Sequence, residues 1–397
     1  MDKKASYIDE VEIKNKKILM RVDFNVSLSV DKLSIADDAR IKQAVPTILY
    51  LLNNQNKLIL VSHLDRPKGR DPKLSLKIVT DHLHSLIPQY DVILINDFLK
   101  QEDKERIKNQ KKNEIIMLEN IRYYPEEKAN DKKFSKELSF LAEIFVNDAF
   151  GVCHRADASV VGVAKFLPSY GGLLLKKEII MISKAIKNPK KPVVAILGGA
   201  KISTKINLLG KLMEIADYLL IGGGMANIFF CAQGKNIGQS LCEYNEVENA
   251  RKLLFMAAQK NTTIVLPTDV IQSYSKDNTT SSEVRDIDHI DEKGCILDIG
   301  PETQARFGAI INNAKTILWN GPVGYTENPA FRRGTDFIYY AIAHNPNAVS
   351  IVGGGDTLAA ISKKEYLDKI THISTGGGAM LEFIEKGTLP GIEALKK

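Results

Sequence analysis

The stretch VVAILGGAKIS (193–203) reads as a strand, a glycine turn and a helix start. A run of β-forming apolar residues stops on Gly198 and Gly199 and gives way to Ala200, Lys201 and a helix-like pattern. The same punctuation recurs in YLLIGGGMAN (218–227), AVSIVGGGDT (348–357) and HISTGGGAM (372–380). Glycine permits positive φ and close approach of a ligand to the backbone. A glycine turn between strand and helix aims free N–H groups at one point, where a phosphate can sit. Residues 190–397 hold 22 of the 27 glycines, so a nucleotide is to be sought in the second half.

Around this stretch, strand-like runs at 192–198, 217–222, 262–267, 315–319, 348–353 and 370–374 alternate with helix-like segments near 203–216, 246–260, 329–344 and 357–365. The first half repeats this. Strands are expected at 17–24, 57–63, 91–97, 114–120 and 143–150, with helices at 40–53, 74–86 and 133–141. The first-half runs are apolar rather than alternating, as in a parallel sheet covered on both faces. The expected fold class is α/β: two doubly wound, Rossmann-like parallel-sheet domains. Between the halves, GGLLLKKEIIMISKAIKNPKKP (171–192) has a Gly pair, an amphipathic pattern and a Pro-rich end. It reads as a helical hinge at 173–188, or else as an ordinary helix of either domain. The domains then span 1–172 and 189–379.

A length of 397 residues suits two such domains. The N-terminus, MDKKASYIDEVEIKNKK, is charged, and no apolar run approaches a membrane span. The cysteines Cys153, Cys231, Cys242 and Cys295 are scattered without a C-x-x-C, which suits a reducing cytoplasm and argues against zinc. Net charge is +6, without the basic stripe and interleaved aromatics of a nucleic-acid binder. Lysine outnumbers arginine 42 to 12, so each arginine invites a question. Its planar fork grips phosphate and carboxylate as lysine cannot. Arg21, Arg40, Arg66, Arg122 and Arg155 all stand at β-run ends or in turns.

Ligands of open α/β sheets sit beyond the carboxyl ends of the strands. There the first half places Arg21, Asp23 and Asn25; His63 and Arg66; Asn120 and Arg122; and Asn147, Asp148, His154 and Arg155. Any one of these is as readily a cap or an ion pair. Together they describe a pocket for a small, multiply negative ligand. In the second half no glycine turn matches the P-loop or G-x-G-x-x-G fingerprint. Lys201 and Lys205 lie at i, i+4 on one helix face if residues 203 onward are helical, and suit a polyphosphate. Asp356 at a helix start could hold Mg²⁺, with the Thr357 hydroxyl capping the helix. No nucleophile triad and no strand-end general base stands out. That is consistent with kinase chemistry if the acceptor is a carboxylate, already ionised at pH 7.

At these residues the chain resembles the phosphoglycerate kinase family over nearly its whole length. RVDFNV, DDARI, SHLDRPKG, LENIRYYPEE, VNDAFGVCHRADAS, AILGGAKISTKI, IGGGMAN, LDIGPET, WNGPVGYTE, GGGDT, HISTGGGA and LPGIEAL follow in family order. The resemblance implies a C-terminal tail, 380–397, returning to the first domain. It implies reversible phosphoryl transfer between ATP and the carboxylate of 3-phosphoglycerate, giving ADP and 1,3-bisphosphoglycerate in glycolysis, by domain closure in a cytoplasmic monomer. The first domain would bind 3-phosphoglycerate through Arg21, Asp23, Phe24, Asn25, Arg40, His63, Leu64, Asp65, Arg66, Arg122 and Arg155. The second would bind Mg-ATP or Mg-ADP through Gly198, Gly199, Lys201, Lys205, Gly222, Gly223, Gly321, Glu327, Gly354, Gly355, Asp356 and Thr357, with Asp356 on the Mg²⁺. Arg40, Lys201, Lys205, Gly376 and Gly377 would serve the transferring group. No nucleic acid or membrane partner is implied. The alternative is a catalytically lapsed binding protein of the same fold. Three positions depart from the family pattern: Asp65 where Gly is common, Asp157 where His is common, and Lys176 where Glu is common.

Overall fold

The computed structural model describes residues 5–29, 31–203, 205–277 and 282–396, with Asp356 described in its backbone alone. The chain divides into one unit of residues 1–180 and 388–397 and another of residues 181–387. The helix Leu173–Lys187 runs from the first into the second. The tail rejoins the first unit at Thr388, later than 380, because residues 377–386 form a helix of the second unit. There Met380 is buried against Gly353.

The first unit is built on a six-stranded parallel sheet. Its spatial order is Asp91–Ile95, Glu114–Leu118, Lys57–Val61, Lys17–Arg21, Ile144–Asn147 and Ser169–Gly171. Its continuous apolar runs have a direct cause. Ile18, Met20, Leu58 and Leu60 enter one core, while Leu19, Ile59 and Val61 from the same strands enter another on the opposite face. The order reverses direction beside Lys17–Arg21, so the switch point lies where Arg21 ends its strand.

In the second unit the parallel order is Thr263–Val265, Tyr218–Ile221, Val193–Leu197, Thr316–Asn320, Val349–Gly353 and His372–Ser374. This is the 3-2-1-4-5-6 order of dinucleotide-binding folds, with its switch point between Val193–Leu197 and Thr316–Asn320. A three-stranded antiparallel sheet of Asp269–Ser273, Glu283–Asp286 and Cys295–Ile299 was not expected. Neither were the helices Gln101–Lys108, Gly224–Ala232 and Pro301–Asn313. No helix among the described residues is long and apolar enough to cross a membrane.

The departure at Lys176 is locally balanced. Its Nζ pairs with Asp9 at 2.8 Å and Glu10 at 2.9 Å and lies over the Tyr7 ring. A glutamate there would face two carboxylates.

Candidate active site

At the rim of the first unit, the structure sorts the expected residues into a buried frame and an open face. Arg21 is 1 % exposed and its guanidinium is taken up internally, by Ser159 Oγ at 2.8 Å, by the Val22 and Val61 carbonyls and by His63 Nδ1 at 3.2 Å. Asn120 is also frame. Its Oδ1 accepts from Leu64 N and Arg122 N, and its Nδ2 donates to the Leu64 and Leu74 carbonyls. Asn147 holds the Ala149 N–H. Phe24 and Leu64 have buried side chains, so they offer the rim backbone only.

The face itself is a chain of contacts. Asp23 lies 3.4 Å from Arg40 Nη1, which also donates to the Asn25 carbonyl at 2.6 Å. Asn25 Oδ1 accepts from the Asp65 N–H at 2.7 Å, and the Asp65 carbonyl accepts from Arg122 Nη1 at 2.7 Å. Arg155 Nε donates to His154 Nε2 at 3.3 Å. Arg66 is exposed and makes no hydrogen bond or ion pair with any described residue.

Arg122 is the informative member. It is 7 % exposed, yet its Nε and Nη2 are buried without a partner. Burial, then Arg155 and Arg21, press its pKa down to about 10. Burial and the arginines Arg21, Arg122, Arg155 and Arg40 hold His63 well below the ordinary imidazole value, so it is neutral. Buried donors without acceptors are rare and demand an explanation. Several cations around too little negative charge form a receptor for an anion.

The departures at Asp65 and Asp157 differ in kind. Asp65 is exposed at φ +54°, a left-handed position where glycine is at ease and aspartate is tolerated. Asp157 is buried, its Oδ2 has no partner, and its charge acts on Arg122.

In the second unit the glycine turns pack against one another at the switch point. Gly198 N donates to the Asn320 carbonyl at 3.0 Å, Gly199 N to Pro322 at 2.9 Å and Gly223 N to Val323 at 2.9 Å. A Cβ on Gly198 would lie 2.0 Å from the Pro322 oxygen, and one on Gly222 would lie 2.6 Å from Val323 Cβ. Gly321 sits at φ +89° against Gly198. These three glycines therefore shape the turn from behind. Gly199, Gly223 and Glu327 line a cleft of about 230 Å³ walled by Asn227, Leu241, Pro322 and Tyr325. The unexpected antiparallel sheet supplies its floor through Val270, Ile296 and Leu297. The third strand of that sheet, Glu283–Asp286 (EVRD), carries no apolar pattern and does not line the cleft.

Two expectations are corrected. The helix begins at Ile206, not 203, so Lys201 and Lys205 precede it and share no helix face. Lys205 instead turns back, its Nζ donating to the Gly198 carbonyl at 2.8 Å. Thr357 does not cap its helix. It lies within Gly355–Ala360, donating to the Gly353 carbonyl at 2.6 Å and accepting from Gly321 N at 2.8 Å. Gly354, at φ +97°, packs backbone to backbone on Gly377, and Gly355 faces open space. Gly376 caps and Gly377 opens the helix Gly377–Lys386. The Asp356 side chain lies outside the described residues. No cluster of three or more His, Cys, Asp or Glu side chains among the described residues could hold a metal ion.

Asp298, in the cleft wall, accepts from Ile299 N and Gly334 N, yet burial pushes it up from 3.8 to about 7. A carboxyl with a raised folded pKa favours the folded state below its unfolded pKa, and that contribution is lost as pH rises through the folded pKa. Asp298→Asn should therefore gain stability relative to the wild type between about pH 4 and pH 7 and hold that gain above. Urea midpoints across this range check it, and a pH-independent difference would refute it.

Two doubly wound α/β units, one ending in an arginine rim and the other in a glycine-walled cleft, define a two-unit α/β phosphotransferase. A sequence model of the family described as phosphoglycerate kinase matches residues 8–387. A phosphoglycerate kinase of Dictyoglomus turgidum is 48% identical over 387 residues, covering 97% of this chain and 96% of the relative. The cytosolic phosphoglycerate kinase 3 of Arabidopsis thaliana is 42% identical, covering 98% and 97%. The solved phosphoglycerate kinase of Coxiella burnetii superposes with a TM-score of 0.85 at 38% identity, covering 98% of each chain. The chain belongs to the phosphoglycerate kinase family. It is an ATP-binding kinase of glycolytic phosphotransfer.

Proposed function

We propose that the arginine rim holds 3-phosphoglycerate, that the glycine-walled cleft holds the nucleotide, and that closure of the units passes the phosphoryl group between them. The observation that carries the rim assignment is Arg122, with two buried N–H donors awaiting acceptor oxygens. Arg155 and the exposed Arg66 add fixed charge, and neutral His63 adds a donor that brings no proton to exchange at neutral pH. The acceptor carboxylate is ionised, so no general base is required. Catalysis reduces to positioning and charge neutralisation.

On the nucleotide side, Gly199, Gly223 and Glu327 border the base and ribose, while Lys201 and Lys205 serve the phosphates. The Gly377 N–H opens a helix, where partial positive charge gathers, and suits the group in transit; the Gly376 N–H at the cap donates to Ser374 Oγ at 3.3 Å and would turn from it to serve the same group. Magnesium would enter as part of the nucleotide substrate, with Asp356 as the residue that would hold it, and would help to neutralise charge on the phosphates. Closure excludes water from the reactive acyl phosphate. The cytosolic naming of the Arabidopsis relative supports a cytoplasmic setting.

The two aspartate departures test the rim. Asp157→Asn removes a buried charge facing Arg122 and should lower KM for 3-phosphoglycerate about threefold to tenfold. Asp65→Gly removes an exposed, screened charge and should change KM less than about twofold. KM for the nucleotide should move with neither. An unchanged KM for 3-phosphoglycerate in Asp157→Asn, or an equal shift in both substrates, would refute the assignment.

A further inference from the structure

Behind the rim lies a buried hydrogen-bonded relay that the chemistry above leaves unused. Glu127, in the helix Pro125–Ala129, is 0 % exposed, and Ser159, in the helical turn Ala158–Gly162, is 1 % exposed. Ser159 donates twice to the Glu127 carboxylate, from Oγ to Oε1 at 2.6 Å and from N to Oε2 at 2.9 Å. The same Oγ accepts from Arg21 Nε at 2.8 Å, and Arg21 Nη2 reaches His63 Nδ1 at 3.2 Å. Four side chains from four segments are thus linked, and His63, the last, is 2 % exposed.

The direction of each bond follows from the donor inventory. A guanidinium has no acceptor, so Arg21 can only donate. Ser159 Oγ therefore spends its proton on Glu127, and His63 Nδ1 must offer a lone pair. The imidazole is neutral, so its proton resides on Nε2. Asp23 Oδ1 also faces Nδ1, but at 3.9 Å it is beyond hydrogen-bond reach, so the opposite tautomer would set an N–H against the Arg21 cation and leave Nε2 with a lone pair, which repels an anion. Glu127 supplies the buried negative charge that keeps Arg21 in place, although burial raises its own pKa.

We propose that Ser159 and Glu127 are positioning residues for the phosphoglycerate site: acting through Arg21, they fix His63 as the Nε2–H tautomer so that it can only donate to an anionic substrate. Neither residue touches the substrate. The inference rests on the reading of the rim as the 3-phosphoglycerate site.

The test combines imidazole ¹⁵N NMR with steady-state kinetics. In the wild-type protein at neutral pH, His63 should show a single Nε2–H tautomer. A protonated Nδ1 there would overturn the proposal whether or not any variant folds. Ser159→Ala should mix the tautomers and raise KM for 3-phosphoglycerate roughly tenfold, while kcat and the nucleotide KM stay within about threefold. Glu127→Gln should act in the same direction. A purely structural role would lower thermal stability while leaving the tautomer and the KM-to-kcat split unmoved, and that outcome also overturns the proposal. His63→Gln separates the two levels. If it leaves KM for 3-phosphoglycerate unchanged, the reading of the rim fails. If it raises KM while Ser159→Ala shifts neither tautomer nor KM, the relay alone fails.

Discussion

Arg40→Ala should lower kcat by about 10²–10³-fold, the effect of removing one preorganised donor from a developing negative charge. Arg40 lies in the first turn of the helix Ala39–Asn53, and its side chain is 24% exposed, held by the Asn25 carbonyl and by Asp23. Those contacts fix the guanidinium through Nη1. On the proposed reading, the remaining donors would serve the phosphoryl group in transit. An interaction made only in the transition state lowers kcat and kcat/KM together. Binding of 3-phosphoglycerate, measured by calorimetry, should therefore weaken far less than catalysis. Arg40→Lys keeps the charge without the planar fork and should fall between the two. A KM rise matched by an unchanged kcat would reassign Arg40 to ground-state binding.

How much of this was legible in the residues depended on burial. The runs KILMR, KLILV and VVAIL announce strands because both sheet faces are covered, and a run of consecutive apolar residues without alternation has few other uses. The strand Ser169–Gly171 (SYG) gave no such signal, being three residues long with no aliphatic side chain, and it forms because Ile144–Asn147 offers an open edge. The helix Gln101–Lys108 (QEDKERIK) buries little besides Ile107, so its pattern is faint. Scarce arginines marked the rim, but composition could not divide them. Arg21 is frame, Arg122 keeps two buried donors unpartnered and Arg66 stands in solvent, and only tertiary contacts separate these states. Glu127 is a sharper case. In YYPEEKAN nothing marks it as buried, yet it is fully enclosed and its carboxylate is held by Ser159, distant in sequence.

The glycines divide likewise once their neighbours are known. Those that line the cleft permit approach by a ligand, whereas Gly198, Gly222 and Gly321 permit approach by the protein's own backbone. The second job is as demanding as the first. The 3-2-1-4-5-6 order brings the ends of Val193–Leu197 and Thr316–Asn320 side by side, and both chains must turn there without side chains between them.

Gly198→Ala should accordingly destabilise the protein by about 1–3 kcal/mol, the usual cost of forcing an extra carbon into a packed interior. The new Cβ would meet the Pro322 oxygen at 2.0 Å and the Gly321 oxygen at 2.8 Å, so a flexible side chain cannot absorb the clash and the 320–323 turn must move. That turn carries Pro322 and Val323 into the cleft wall, so ADP affinity should fall at least about tenfold, as expected when a binding surface shifts off its required geometry. Affinity for 3-phosphoglycerate should be unchanged, since the rim belongs to the other unit. Gly210→Ala is the matched control. Gly210 lies inside the helix Ile206–Leu212, where an added Cβ would have nothing within 4 Å, so alanine there should stabilise by about 0.5–1 kcal/mol. Urea midpoints and ADP calorimetry on both variants decide the matter. If Gly198→Ala kept wild-type stability and ADP affinity, the turn would not be the rigid back wall of the nucleotide site.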